Sequence, residues 1–247
     1  MDPNTEALVA DLLDPDKNVR IKAALALGEL ADIEALPALL ARLGAEPDFF
    51  VRDNLVWAVV RMGHAAVPSV INLLGDDDGT VRYLAAHTLS KFADARALDA
   101  LTAALDDADP LVAQKATYAL GRIRDERSLP ALLARLGQGS REARTTLNDA
   151  LEAFGEALVP ALLPLLAGAN TPTRVDAVDL LGTIGGPAAA DLLSAASADA
   201  EWEVRFAAVN ALGSVDGLVV RSALELASND SHPHVRLLAQ RLVQRNV

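Results

Sequence analysis

Apolar residues in this chain follow a helical spacing that returns again and again. In VRIKAALALGEL, residues 19–30, Val19, Ala23, Leu27 and Leu30 lie four, four and three positions apart and form one stripe of an amphipathic helix. The same offsets give Val51, Leu55, Val59 and Met62, then Val81, Ala85, Leu89 and Phe92, then Val112, Ala116, Leu120 and Ile123. Later copies are Ala143, Leu147, Leu151 and Phe154, then Ala177, Leu181 and Ile184, then Val204, Ala208, Leu212 and Val215. Counted from an arginine next to the start of the stripe, the pattern returns at Arg20, Arg52, Arg82, Ala113, Arg144, Arg174, Arg205 and Arg236. A period of about 31 residues, each unit unable to bury its apolar face alone, predicts stacked helical hairpins.

The first helix of each hairpin is recognisable in LPALLARLG at 36–44, VPSVINLLG at 67–75, LPALLARLG at 129–137 and VPALLPLLAG at 159–168. Proline in a first turn is tolerated because that amide needs no intrahelical partner. Four residues before each repeat position stand Asp16, Asp48, Asp78, Asp109, Ser140, Asn170, Glu201 and His232; the first six are preferred N-cap types and mark the start of the second helix. Gly28, Gly121, Gly182 and Gly213 recur eight residues after the repeat position, where an interior glycine costs about 1 kcal/mol against alanine. The recurring cost points to close approach of an adjacent helix. GTIGG at 182–186 lacks the preceding strand that a dinucleotide loop requires.

The expected fold is all-α: a right-handed α-solenoid of about eight two-helix repeats, forming one domain over 1–247. Approximate repeats are 4–31, 33–63, 65–93, 96–124, 127–155, 157–185, 187–216 and 218–247. Apolar residues make up 51% of the chain and aromatic ones only 4%, which suits closely packed helices.

The string Val-Arg-x-x-Ala-Ala-x-Ala-Leu-Gly-x-Ile, seen closely at 19–30, 112–123 and 204–215, resembles HEAT repeats, and more narrowly the short HEAT-like repeats of the phycobilisome-lyase type. The resemblance covers residues 4–247. It implies first helices on a convex side, second helices on a concave side, and a structural ladder in which Arg20, Arg52, Arg82, Arg144, Arg174, Arg205 and Arg236 pair with loop acids. The His-Glu pairs that ligate iron in HEAT-repeat hydroxylases are absent, which argues against that enzyme class.

If second helices line the concave side, the residue five places after the arginine forms a central column: Leu25, Trp57, His87, Tyr118, Asp149, Asp179, Asn210 and Arg241. Trp57, Tyr83, His87 and Tyr118 place aromatic rings on three successive repeats, flanked by Arg61, Lys91, Lys115 and Arg122. Aromatic and arginine side chains supply most binding hot spots. Farther along, Asp149, Asp176 and Asp179, with Asn148 and Asn210, make the groove acidic. This polarity would steer a protein or peptide segment of matching charge into one register.

With 22 Lys plus Arg against 34 Asp plus Glu, the formal charge is -12, which disfavours nucleic acid and anionic membrane as partners. No cysteine is present, so disulfides, thiolate metal sites and cysteine nucleophiles are excluded. The start, MDPNTEALVADLLDPD, lacks the basic and apolar character of a signal peptide, and no apolar run reaches membrane-spanning length. The expected compartment is the cytoplasm, and a monomer is the default state.

His64, His87, His232 and His234 do not assemble a recognisable catalytic or metal motif, and the acid runs Asp76–Asp78 and Asp106, Asp107, Asp109 lack a calcium-loop pattern. No catalytic residue, metal or cofactor is therefore assigned. The expected function is a noncatalytic protein-binding scaffold. The resemblance also admits a phycobilin-lyase-like subunit or chromophore chaperone contacting a tetrapyrrole through Trp57, Tyr83, Tyr118 and Arg122, and more remotely a HEAT-like DNA glycosylase using Trp57, Tyr118 and Asp149. The acidic charge opposes the last of these.

Overall fold

A computed structural model describes residues 1–168, 170–215 and 217–245, leaving aside the side chain of Leu218. They form two compact units, Met1–Asp125 and Glu126–Val247. The first contains α1 (Pro3–Asp11), α2 (Lys17–Leu30), α3 (Leu36–Ala45), α4 (Phe49–Arg61), α5 (Val67–Asn72), α6 (Gly79–Phe92), α7 (Leu98–Ala103) and α8 (Pro110–Ile123). The second contains α9 (Leu129–Leu133), α10 (Arg141–Glu152), α11 (Val159–Gly168), α12 (Thr171–Ile184), α13 (Gly186–Ala196), α14 (Trp202–Leu212), α15 (Leu218–Ala227) and α16 (Pro233–Arg245). Odd-numbered helices are the first members of the hairpins and even-numbered ones the second. Short 3-10 turns lead into several first helices, and no strand occurs among the described residues.

The second helices begin where capping chemistry places them. Asp16, Asp48, Asp78, Asp109, Ser140 and Asn170 each accept a hydrogen bond from a backbone N–H in the first turn of the helix that follows. Pro37, Pro68 and Pro130 stand in the first turn of α3, α5 and α7's counterpart α9. Second helices end at a fixed register too. Eleven residues after the repeat position, Ala31, Gly63, Ala93, Arg124, Gly155 and Gly185 all adopt positive φ. Three of these six are not glycine, so Ala31, Ala93 and Arg124 hold a left-handed conformation that their Cβ opposes.

The core follows the predicted stripe at its first three positions, apart from the half-buried Val19 and Ala143. Leu27, Val51, Leu55, Val59, Leu89, Val112, Leu120, Leu151, Leu181, Val204 and Leu212 are fully shielded from solvent. The fourth position is mixed: Met62 is buried as expected, whereas Leu30, at the end of α2, is 47% exposed, and Phe92, Ile123, Phe154 and Ile184 are only half-buried. These residues sit in the turn just before the left-handed residue, where the helix runs out. The repeated glycines face neighbouring helices. A Cβ on Gly28 would lie 2.4 Å from the Trp57 ring, one on Gly182 2.8 Å from the Cβ of Ala211, and one on Gly213 2.8 Å from Leu242.

Four arginines at the repeat position tie their second helix to the loop after the next first helix. Nε and Nη2 of Arg20 donate to Glu46 at 2.8 and 3.0 Å, those of Arg82 to Asp107 at 2.7 and 2.8 Å, those of Arg174 to Asp199 at 3.0 Å each, and those of Arg205 to Asp230 at 2.7 and 3.0 Å. Such two-pronged pairs fix geometry as well as charge. The accepting acid always stands two residues before the next helix cap, where it also accepts the backbone N–H of Asp48, Asp109, Glu201 or His232. Arg52 and Arg236 donate to loop carbonyls, of Glu46 at 3.3 Å and of Asp230 and Ser231 at 2.6 and 3.2 Å.

One rung is rebuilt. Two residues before the Asn170 cap the chain has Gly168 in place of an acid, and Arg144 turns instead to Asp176 on α12. Asp176 also accepts the Gly137 N–H at 2.8 Å. Its expected place on the exposed groove is therefore corrected: Asp176 is 1% exposed and completes the ladder.

Candidate binding face of the second helices

On the first unit, α4, α6 and α8 carry the expected aromatic and basic residues. Trp57 lies on the surface that Gly28 leaves open, with 39% of its area exposed, and the Arg61 guanidinium stands 5.8 Å from its ring centre. Lys115 Nζ is 5.3 Å from the Tyr83 ring centre and 5.2 Å from that of Tyr118, so one ammonium bridges rings on two helices. Tyr83 and His87 are parallel within 7°, with centroids 6.4 Å apart. Tyr118, Lys91 and Arg122 are exposed.

This cluster is basic although the first unit has 12 Lys plus Arg against 20 Asp plus Glu. The acids are drawn to helix starts and ladder rungs. Asp16, Asp48, Asp78 and Asp109 cap helices, and Glu46 and Asp107 hold arginines. In the acid run, Asp76 accepts the Asp78 N–H at 2.9 Å while Asp78 caps α6. On α4, α6 and α8 the exposed face carries Arg61, Lys91 and Arg122 against one acid, Asp53.

Between α4 and α6 opens a cleft of about 330 Å3, lined by Phe49, Arg52, Asp53, Val56, Thr80, Tyr83, Leu84, His87 and Lys91. Phe49 and its neighbour Phe50 are 66% and 64% exposed and meet edge to face at 5.7 Å. Nδ1 of His87 is buried and has no hydrogen-bond partner among the described residues. Burial holds the His87 imidazole below its ordinary pKa, Lys115 and Lys91 push the same way, and Asp53 opposes them. Sequence reasoning placed Tyr83, His87 and Lys91 on this face but missed Phe49, Phe50 and Thr80. Two adjacent phenylalanines directly after the Asp48 cap, in a chain with five Phe in all, were the available signal.

The second unit presents different chemistry at matching positions. Asp149 on α10, Asp179 on α12 and Asn210 on α14 are exposed, and Phe206 and Leu237 add apolar surface. Desolvation around Asp179 pushes its carboxyl up, the Asp176 carboxylate adds to the shift, and Arg144 opposes it. The Trp202 ring, outside this face, stacks on His232 with centroids 4.0 Å apart, and His234 meets it edge-on at 5.9 Å.

Repeated caps, rungs and buried stripes define an α-helical repeat scaffold. A family model described as HEAT repeats matches residues 2–60, 50–109, 67–152 and 159–243, and the chain belongs to that family. No curated protein matches it. Among solved structures it is similar to the archaeal HEAT-like repeats protein from Thermococcus onnurineus, with 17% identity, TM-score 0.51, and coverage of 86% of this chain and 95% of that one. Human deoxyhypusine hydroxylase in complex with glycerol aligns with 22% identity, TM-score 0.44, and coverage of 98% and 96%. The complex of CpcE and CpcF of phycocyanin lyase from Nostoc sp. aligns with 19% identity, TM-score 0.41, and coverage of 100% and 96%. Among the described residues no single helix is long and apolar enough to cross a membrane.

Proposed function

We propose that the chain is a protein-binding scaffold that holds a partner segment on the exposed face of α4, α6 and α8 without a chemical step. The observation that carries this reading is the Lys115 ammonium seated over both Tyr83 and Tyr118, beside the Trp57 and Arg61 pair. Rings already ordered by neighbouring cations lose little freedom on binding, and Trp, Tyr and Arg are the residue types that dominate interface energetics.

Partner capture from the native lysate, followed by affinity measurement on the retained protein, tests the reading. Replacing Tyr83 and Tyr118 together by alanine should weaken binding by about 2 kcal/mol or more while the thermal midpoint stays near wild type. These two are better probes than Trp57, which also packs on Gly28. Equal affinity in the double variant would remove this face as the binding site.

A further inference from the structure

Arg61, Lys91 and Arg122 hold the same register on α4, α6 and α8, nine residues after the repeat position, and all three are exposed. They form a row that crosses three helices. About one turn earlier, Trp57 on α4 and Tyr118 on α8 are exposed beside it. Among the described residues none of the three cations is paired with a carboxylate, whereas Arg20, Arg42, Arg82 and Arg96 of the same unit all are. Helix-end electrostatics do not require the row. Cations in a last turn offset the helix dipole, yet α2, α10, α12 and α14 end without one.

The acids of the first unit stand away from these cations. Asp48, Asp78 and Asp109 cap α4, α6 and α8 thirteen residues before Arg61, Lys91 and Arg122, which is about 20 Å along a helix. Asp53 lies eight residues before Arg61, about 12 Å. Both separations exceed the roughly 8 Å over which exposed charges act at physiological salt. Beyond the row, residues 62–66 after α4 include no acid, and Asp94 after α6 is held by Arg96. After α8, Arg124 and Arg127 alternate with Asp125 and Glu126. The row is therefore locally cationic on a chain of net charge -12.

One end of the row is closed by charge: the matching residue on α2 is the exposed Glu29. A continuous polyanion such as a nucleic acid extends past three cations and meets acids on either side. A short acidic peptide places its carboxylates only where the cations are. Neighbouring packed helices stand about 8–10 Å apart, and three residues of extended chain cover about 10 Å. The complement is a segment with three carboxylates, one at every third residue.

We infer that the row of Arg61, Lys91 and Arg122 docks an extended acidic segment of a protein partner, one carboxylate to each cation, across α4, α6 and α8. The inference rests on the scaffold reading of this face and adds the partner's chemistry to it.

Fluorescence anisotropy at low salt tests it, with labelled glycine-serine peptides that carry three glutamates at every third position, three adjacent glutamates, or three lysines at every third position. The spaced glutamate probe should bind at least tenfold tighter than the lysine probe and several-fold tighter than the adjacent glutamates. Arg61→Gln, Lys91→Gln and Arg122→Gln should each weaken it about threefold, the scale of one exposed charge pair, and the triple variant at least tenfold. Arg141→Gln removes an exposed cation outside the row, changes net charge by the same amount as each single variant, and should leave affinity unchanged.

Failure of the spaced glutamate probe to bind, or equal binding of the lysine probe, would overturn the inference. Weakening by Arg141→Gln to the same extent would mean that net charge is read and the row is not. Equal binding of spaced and adjacent glutamates would overturn the one-to-one register, and an oligothymidylate that binds tighter than the spaced probe would put nucleic acid in the peptide's place. If the triple variant keeps the lysate partner that the double tyrosine variant loses, the cation row fails as the docking element and the scaffold reading stands; retention of that partner by the double tyrosine variant removes the scaffold reading itself.

Discussion

On α4, α6 and α8 the outward positions carry Trp57 and Tyr118, exposed, and Tyr83 and His87, half-buried, among lysines and arginines; on α10, α12 and α14 the equivalent column carries Asp149, Asp179 and Asn210. Beneath these surfaces the two units use the same parts. Both cap their second helices with short polar side chains and bury the same apolar stripe, and both pair arginines with acids. The difference teaches that in a repeat array the positions needed for stacking are constrained while the exposed column is free to diverge. Binding chemistry is therefore to be sought where copies differ in their outward residues.

The ladder offers the strongest way to test how alike the two units are inside. Glu46 is fully buried at its side chain and holds Arg20 and Arg42, so Glu46→Ala should destabilise the first unit by about 3 kcal/mol in urea unfolding. Asp176→Ala should cost the second unit less, about 2 kcal/mol, because Arg144 is 39% exposed and regains water when its partner is lost. Equal costs would mean that the rebuilt rung bears as much as the regular one. Replacing the exposed Asp149 should change stability by under about 0.5 kcal/mol.

The same rungs set a pH dependence. Burial pushes Glu46 up, but hydrogen bonds from Arg20, the Asp48 amide and Arg42 outweigh it and hold the group below its ordinary value. Hydrogen bonds from Arg82 and Arg205 depress Asp107 and Asp230 in the same way. Depressed folded values mean that the unfolded chain binds more protons at acid pH. This stabilisation is present above the unfolded carboxylate pKa of about 4 and is lost as pH falls through the folded values. Denaturant melts between pH 5 and 2 should show that loss, and Glu46→Gln should flatten it; an unchanged slope in the variant would remove Glu46 from the account.

Gly28 and Trp57 separate packing from binding. Adding a methyl group in Gly28→Ala should cost about 1–3 kcal/mol through displacement of the indole, and a Trp57→Ala background should absorb most of that cost. A double-mutant cycle with no coupling would mean that the glycine serves some other contact. A smaller effect than that of Gly28→Ala is expected at the helix ends. Ala31→Gly and Ala93→Gly should each stabilise by up to about 1 kcal/mol by relieving left-handed alanines, while Gly63→Ala should destabilise by a similar amount. Thermal denaturation of the three variants checks the sign.

Much of the architecture was legible because repetition averages out local ambiguity. A stripe seen once is a weak signal, whereas its return near every 31 residues locates Val51, Leu55 and Val59 in the core and Asp48 at the cap. The same alignment carries two further signals: the positive-φ position eleven residues after the arginine, and the acid two residues before six of the eight second-helix starts. Their regularity spans loop lengths, so it emerges only when the copies are aligned on both helices.

The sequence by itself determined the all-α repeat fold, the helix starts, and the gathering of Trp57, Tyr83, His87 and Tyr118 on successive second helices, because each depends on short-range spacing that a helix converts directly into a face. Tertiary structure decided which acid completes a rung, which aromatic also serves packing, and where a cleft opens. Asp176 left the exposed face because Gly168 offers Arg144 no carboxylate, Trp57 settled on the space left by Gly28, and Phe49 joined His87 and Lys91 only when α4 came beside α6. Each of these outcomes depends on which groups meet across helices, a relation between distant residues that spacing within one helix does not contain.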